Sequence, residues 1–363
     1  MSAPPAFTPI PDGIVCVPDY EQPARERMGE NAWAYVGGGA ADEVTLRENR
    51  AGFDRLRLNS RVLVPMEGAH TRLHLFGQEL DHPILVAPSA FHRLLHPDGE
   101  VATMLGASAT RSCMVVSAQA SLPLESIAGQ AVVRPWFQLY IQPDRGFTRA
   151  LVQRAEAAGY AALVVTVDAP VSLRNREQRA QFRLPPGVEA VNLRGAAMPP
   201  AAQAGSEIFG AVRHAAGWAD IAALRAATRL PLLLKGIMTP EDAERAIGAG
   251  ADGLVVSNHG GRVLDTQPAT IDALPAIARK VAGQVPVLLD GGIRRGTDVL
   301  KARALGAQAV LVGRPALHGL AVAGAMGVAH VLKLLRTELE VAMVQTGCPT
   351  LDAIGPEVIW RGT

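Results

Sequence analysis

Cysteine is nearly missing from this chain, and the three present, Cys16, Cys113 and Cys348, are far apart and form no CxxC pair. That excludes a disulfide framework and a cysteine-based zinc site, so no metal is expected and a reducing, cytoplasmic setting fits. Excess charge of either sign is also lacking: the formal net charge is +1, which favours neither nucleic acid nor an anionic membrane surface. No continuous apolar run is long enough to cross a bilayer, so no membrane association is expected. The opening Met1–Phe7 lacks the basic and apolar parts of a secretory signal, and the closing Arg361-Gly362-Thr363 is no peroxisomal address. Lysine is scarce as well. Of 35 basic residues only four, Lys235, Lys280, Lys301 and Lys333, are lysines. A lysine at a strand end here stands out.

What is abundant is apolar residues, 48% of a chain of 363, enough for a large core. Eight short apolar runs bounded by turn residues recur: 83–89, 114–119, 134–141, 162–168, 231–237, 253–259, 286–292 and 309–315. Continuous Val, Leu and Ile runs mark strands buried on both faces of a parallel sheet. Helix-period segments at 220–228, 240–248, 271–281 and 297–305 lie between the later ones. Eightfold strand–helix alternation predicts an α/β fold, a closed (β/α)₈ TIM barrel. The alternative, an open doubly wound sheet, usually carries a glycine-rich fingerprint after its first strand, and none follows Ser89. We expect one domain over 1–363 with its core at about 20–355. An N-terminal helical segment, Tyr20–Ala34, is expected to be capped by Asp19, and a closing helix, 327–346, to stop at Gly347. The connection after strand 4 is long and rich in Pro, Ala and Gly, and 184–218 reads as a lid.

In such barrels chemistry sits at the C-terminal ends of the strands. Here those ends are polar: Pro88-Ser89, Ser117, Gln138 and Tyr140, Thr166 and Asp168, Lys235, Ser257 and His259, Asp290-Gly291-Gly292, Gly313-Arg314. The stretch Ser257-Asn258-His259-Gly260-Gly261-Arg262 is the most telling. An imidazole suits proton transfer near neutral pH, and a guanidinium three residues on suits a carboxylate or phosphate. A strand-end turn capped by its histidine is the plainer alternative. Asp290-Gly291-Gly292-Ile293-Arg294 and Gly313-Arg314-Pro315 close strands 7 and 8, where barrels often hold a phosphate; two tight turns with surface arginines would look the same. Lys235 suits a Schiff base, an anion ligand or a partner for a reduced cofactor ring. Asp168 suits either an orienting partner for His259 or a helix cap. Tyr140 shares a strand face with Gln138, and Tyr35, before Gly37-Gly38-Gly39, could fold back over the mouth. Gln119, Phe91 and Phe209 could shape a pocket.

These motifs together resemble the FMN-dependent (S)-2-hydroxy-acid oxidases and dehydrogenases, the family of glycolate oxidase, lactate oxidase, mandelate dehydrogenase and 4-hydroxymandelate oxidase. The resemblance runs from about Tyr20 to Ile354. It rests on the 257–262 signature, Val86-Ala87-Pro88-Ser89-Ala90, Phe137-Gln138-Leu139-Tyr140, Thr166-Val167-Asp168 and Asp290-Gly291-Gly292-Ile293-Arg294-Arg295. It implies an oxidoreductase taking an (S)-2-hydroxy acid to the 2-oxo acid, with His259 as base and Asp168 as its partner. Arg262 and Arg174 would hold the substrate carboxylate, and Tyr35 and Tyr140 would also touch substrate. The segment after Asp168 is one residue short, so Arg176 is the competing assignment for Arg174. FMN would be lined by Pro88, Ser89 and Ala90. Ser117, Gln138, Thr166 and Lys235 would bond its polar edge, with Ser257 near the ribityl chain. Asp290, Gly291, Gly292, Arg294, Gly313 and Arg314 would hold ribityl and phosphate. O2 is the expected electron acceptor, because Ala90 resembles the oxidases; a quinone or redox protein is the alternative. Rivals in other classes are another FMN barrel and a non-catalytic binding barrel. Family members are often homotetramers.

Overall fold

The computed structural model describes residues 8–196 and 207–362. Eight parallel strands form the centre: Ile84–Val86, Val115–Ser117, Trp136–Leu139, Ala162–Thr166, Leu232–Ile237, Gly253–Val256, Val287–Asp290 and Ala309–Val312. Each lies within one of the eight apolar runs. Strand 8 pairs with strand 1, and a parallel bridge from Val86 to Met114 joins strand 1 to the approach of strand 2. That closes the circle and gives the expected barrel. The helices at Trp218–Ala227, Pro240–Gly248, Thr270–Val281 and Gly296–Ala304 are those the periodicity predicts, to within two residues.

Strand alternation divides the core in two. Ile84, Val86, Val116, Phe137, Leu163, Val165, Leu232, Leu234, Leu254 and Val256 belong to the larger cluster shared with the surrounding helices. Leu85, Val115, Trp136, Val164, Leu233, Val255, Leu288 and Leu311 form a second cluster and fill the barrel. A hairpin, Leu73–Leu75 with Gln78–Leu80, plugs its N-terminal end, and Phe76 meets Trp136 edge-on at 5.4 Å. Two residues beyond that apolar layer, each strand offers its next inward position: Ala87, Ser117, Gln138, Thr166, Lys235, Ser257, Asp290 and Gly313. The period of two in the strands thus turns eight sequence positions into one largely polar layer at the C-terminal end.

One expectation at the ends needs correction. Asp19 does not cap the first helix. Its carboxylate accepts from the N–H groups of Val15 and Cys16 and caps the 3₁₀ turn Val17–Tyr20, because that turn intervenes before the helix Glu21–Gly37. The helical stretch Arg314–Thr346 is broken at Ala323 and Gly324, and the part after the break is the closing helix expected at 327–346, begun within two residues of it. By length and composition this segment could cross a membrane, but most of it is buried against the barrel, which accounts for its apolar character. Gly347 ends it in the left-handed conformation, as expected. Of the segment 184–218, expected to be a lid, the described parts hold a 3₁₀ turn, Val191–Leu193, and a short helix, Glu207–Ala211; its Pro199-Pro200 lies outside the described residues.

Candidate active site

The polar layer is hydrogen-bonded from strand to strand. Ser117 donates to Gln138 at 2.9 Å, and the Gln138 amide donates to Thr166 at 3.0 Å. Lys235 donates to Ser257 at 2.9 Å and pairs with Asp290 at 3.1 Å, all three side chains being buried. Burial would push the Lys235 ammonium down, but Asp290 and Asp168 reverse this and hold it above the ordinary lysine range. Asp290 Oδ1 is buried without a partner.

The next inward positions make the rim. His259 Nδ1 lies 3.0 Å from Asp168 Oδ1. A carboxylate only accepts, so Nδ1 carries the proton and Nε2 is left as the basic atom. Burial, with Lys235 beside it, holds the imidazole below its usual value despite Asp168, so it is neutral at neutral pH. Burial would raise the Asp168 carboxyl, but the hydrogen bond and charge of His259 keep it low. Asp168 is therefore a histidine partner and not a helix cap. His259, Gly260 and Gly261 all have positive φ, 57°, 63° and 74°. A left-handed histidine is strained, and this run of three turns the chain off strand 6. Asn258 anchors it through a reciprocal amide pair with Asn49 at 2.8 Å, both side chains buried.

The N-terminal segment closes over the mouth, as the triglycine suggested. Ala40 donates to Gly261 at 2.8 Å, and a Cβ on Gly39 would stand 3.0 Å from that carbonyl, which leaves little room for a side chain. Arg262 donates to the carbonyls of Tyr35 and Gly38 and lies 5.0 Å over the Tyr35 ring. Tyr35 stacks on Phe182 at 4.8 Å and has Phe91 at 6.1 Å. Burial pushes the hydroxyls of Tyr35 and Tyr140 up, so both remain protonated donors. Arg174 faces the same space, whereas Arg176 pairs with Glu43 and lines a neighbouring cavity instead.

An open cavity lies above this layer. Of the twenty site residues proposed from sequence, eighteen line it. Asp168 stands behind His259, and Ser257 lies beneath Lys235, fully buried, where it also accepts from the His259 N–H at 3.1 Å. Ser257 therefore orients two site residues from below. Gln119 lines the cavity, Phe91 packs at its edge against Tyr35, and Phe209 is 77% exposed and lines none of it. At the far end Gly291 and Gly292 have φ of 92° and 84°, and a Cβ on Gly292 would fall 2.1 Å from the Asn49 carbonyl. Arg294 is nearby. Arg314 donates to the carbonyls of Val36, Gly260 and Gly38, so it ties the N-terminal segment to the histidine loop besides charging that end.

The residues fit FMN. A side-chain-free cradle with two arginines suits a phosphate, the orphaned Asp290 Oδ1 suits a hydroxyl donor, and buried Lys235 suits a ring that gains negative charge on reduction. Sequence reasoning missed Asn49, Asn258 and Glu177. Asn49 sits on a helix before the barrel and has no local signal. Asn258 was visible inside the signature, and Glu177 close to Arg174, but their partners are not.

Comparison with known proteins gives the family. A family model described as FMN-dependent dehydrogenase matches residues 24–361. The chain is 48% identical to an L-lactate oxidase of Alicycliphilus denitrificans, over 95% of this chain and 96% of the relative. It is 42% identical to 2-hydroxyacid oxidase 2 of Rattus norvegicus, over 95% and 98%. A solved mandelate oxidase with benzoyl-formic acid superposes with a TM-score of 0.87 at 41% identity, over 95% of this chain and 98% of that one. The chain belongs to the family of FMN-dependent dehydrogenases.

Proposed function

We propose that this protein oxidises an (S)-2-hydroxy acid to the 2-oxo acid, with His259 as the base. The observation that carries the reading is a neutral imidazole, proton-bearing nitrogen bonded to Asp168, in the same cavity as Arg262 and Arg174. The two guanidiniums hold the substrate carboxylate, and the Tyr35 and Tyr140 hydroxyls donate towards it and the substrate hydroxyl. His259 Nε2 takes up the proton released in oxidation, and Asp168 stabilises the imidazolium that forms. Pro88, Ser89 and Ala90, which line the cavity, would lie against the cofactor. Ser117, Gln138, Thr166 and Lys235 would bond its polar edge, while Asp290, Gly291, Gly292, Arg294, Gly313 and Arg314 would hold ribityl and phosphate. FMN held there would supply the two-electron acceptor, with O2 as the final acceptor giving H2O2. The whole chain works as one catalytic unit in the cytoplasm; its three cysteines are free, which suits a reducing compartment. Association into a homotetramer is part of the proposal, to be checked by light scattering.

Anaerobic addition of glycolate, lactate, long-chain 2-hydroxy acids, mandelate and 4-hydroxymandelate should bleach the yellow flavin for at least one of them. Readmitted air should restore the colour with stoichiometric H2O2. Colour that returns only with a quinone or redox protein would replace O2 as the acceptor, and no bleaching by any acid would overturn the reading.

A further inference from the structure

Glu177 touches both arginines of the carboxylate end. It lies on the short helix Asn175–Arg179 after strand 4. Its Oε1 accepts from Arg262 at 3.2 Å and from Arg174 at 3.3 Å, and its side chain, like that of Arg262, is only 15% exposed. One oxygen shared by two guanidiniums is the contact a bound carboxylate makes, so this wall already contains an anion. The donors are not used up. Ser172 and Glu177 accept two of the five Arg174 N–H groups and the Tyr35 hydroxyl faces the same guanidinium, while Arg262 Nη2 keeps a second N–H.

Charge counting decides what this end accepts. Arg174, Arg262 and Glu177 together carry a formal +1, which a single carboxylate neutralises. Among the described residues nothing else on the rim balances a second one. Lys235 is paired with Asp290, and Asp168 faces His259 as a further negative charge. Arg176 is turned to Glu43, and Arg294 and Arg314 stand at the phosphate end. Without Glu177 the same wall would carry +2.

We propose that Glu177 is a specificity-determining residue that matches the site to 2-hydroxy monocarboxylates and holds off 2-hydroxy dicarboxylates. It acts through the two arginines and touches no reacting atom. The inference rests on the carboxylate-end assignment above. A purely bracing role would alter the grip on the 2-hydroxy-carboxylate head, which both kinds of acid share, and would cancel in the ratio between them. The charge does not cancel.

The test compares FMN-loaded parent, Glu177→Gln and Glu177→Asp. Dissociation constants for (S)-lactate come from the saturation of anaerobic flavin reduction, and those for (S)-malate from its competition with lactate. A unit charge roughly 8 Å away through an effective dielectric of about 20 corresponds to a shift of about tenfold or more. The Gln variant should move the malate-to-lactate affinity ratio that far towards malate, less so in high salt. The Asp variant, which retains the charge, should stay within about threefold of the parent. Glu177→Met gives the same uncharged comparison if the Gln variant loses its flavin. An unchanged ratio in the uncharged variants, or an equal shift in Asp and Gln, would overturn the proposal. A parent bleached by no 2-hydroxy acid would instead overturn the functional reading beneath it.

Discussion

At the scale of single residues, the site depends on where protons and charges sit. His259→Gln keeps size and hydrogen bonding but cannot take a proton, so FMN should stay bound while anaerobic reduction slows by about 10²–10⁴-fold in stopped flow. The pH profile has a definite sign. Burial and Lys235 hold the imidazole below its ordinary value, so kcat/KM should be flat through neutrality and fall only on the acid side, as Nε2 becomes protonated. That acid limb should vanish in the Gln variant; a limb that persists there belongs to another group. Arg174 and Arg176 are separated by two positions but face different spaces. Removing Arg174 takes a charge-assisted partner from a desolvated carboxylate, about 2–5 kcal/mol in kcat/KM. Removing Arg176 breaks a part-exposed pair with Glu43, about 1 kcal/mol or less. Steady-state kinetics of the two alanine variants check this, and a large loss only in Arg176→Ala would reverse the assignment.

At the scale of elements, the barrel mouth is bound to structure that precedes the barrel. The helix Val44–Arg55 supplies Asn49, whose amide pairs with Asn258 and whose carbonyl packs against Gly292. Gly292→Ala would place a Cβ where φ is 84° and the Asn49 carbonyl is 2.1 Å away. Strain of this kind costs about 1–3 kcal/mol even before the clash is relieved. Lower stability in urea and a lower flavin-to-protein absorbance ratio are expected together. Full flavin content with parental stability would mean that the cradle yields without cost. The pairing of Asn49 with Asn258 could not be inferred from sequence, because 209 positions separate them and neither lies in a periodic pattern that points to the other.

At the scale of the whole molecule, a buried ion pair and two partly buried arginines lie around one cavity, which is expensive to maintain without a bound anion. FMN should therefore stabilise the fold. At a hundredfold excess over its dissociation constant the linkage contribution is about 2.7 kcal/mol, seen as a rise in Tm. The chromophore released by heat should be FMN. Recovery of FAD, or an unchanged Tm on reconstitution, would contradict the cavity assignment.

The eight apolar runs were enough to place every barrel strand, because a strand buried on both faces writes its length directly into composition. The period of two then placed Ser117, Gln138, Thr166, Lys235 and Asp290 in one layer, and the 257–262 motif marked the base and an arginine. Helix ends were less legible: Asp19 serves a turn that the apolar pattern does not distinguish from the helix after it. Only the tertiary structure decided which nitrogen of His259 is free, that Ser257 lies under Lys235, and that Arg174 and not Arg176 faces the cavity. It also decided that Glu177 joins two arginines. Each of these is a matter of side-chain direction between segments 22 to 133 positions apart, set by packing across the barrel mouth, and local sequence carries no record of it.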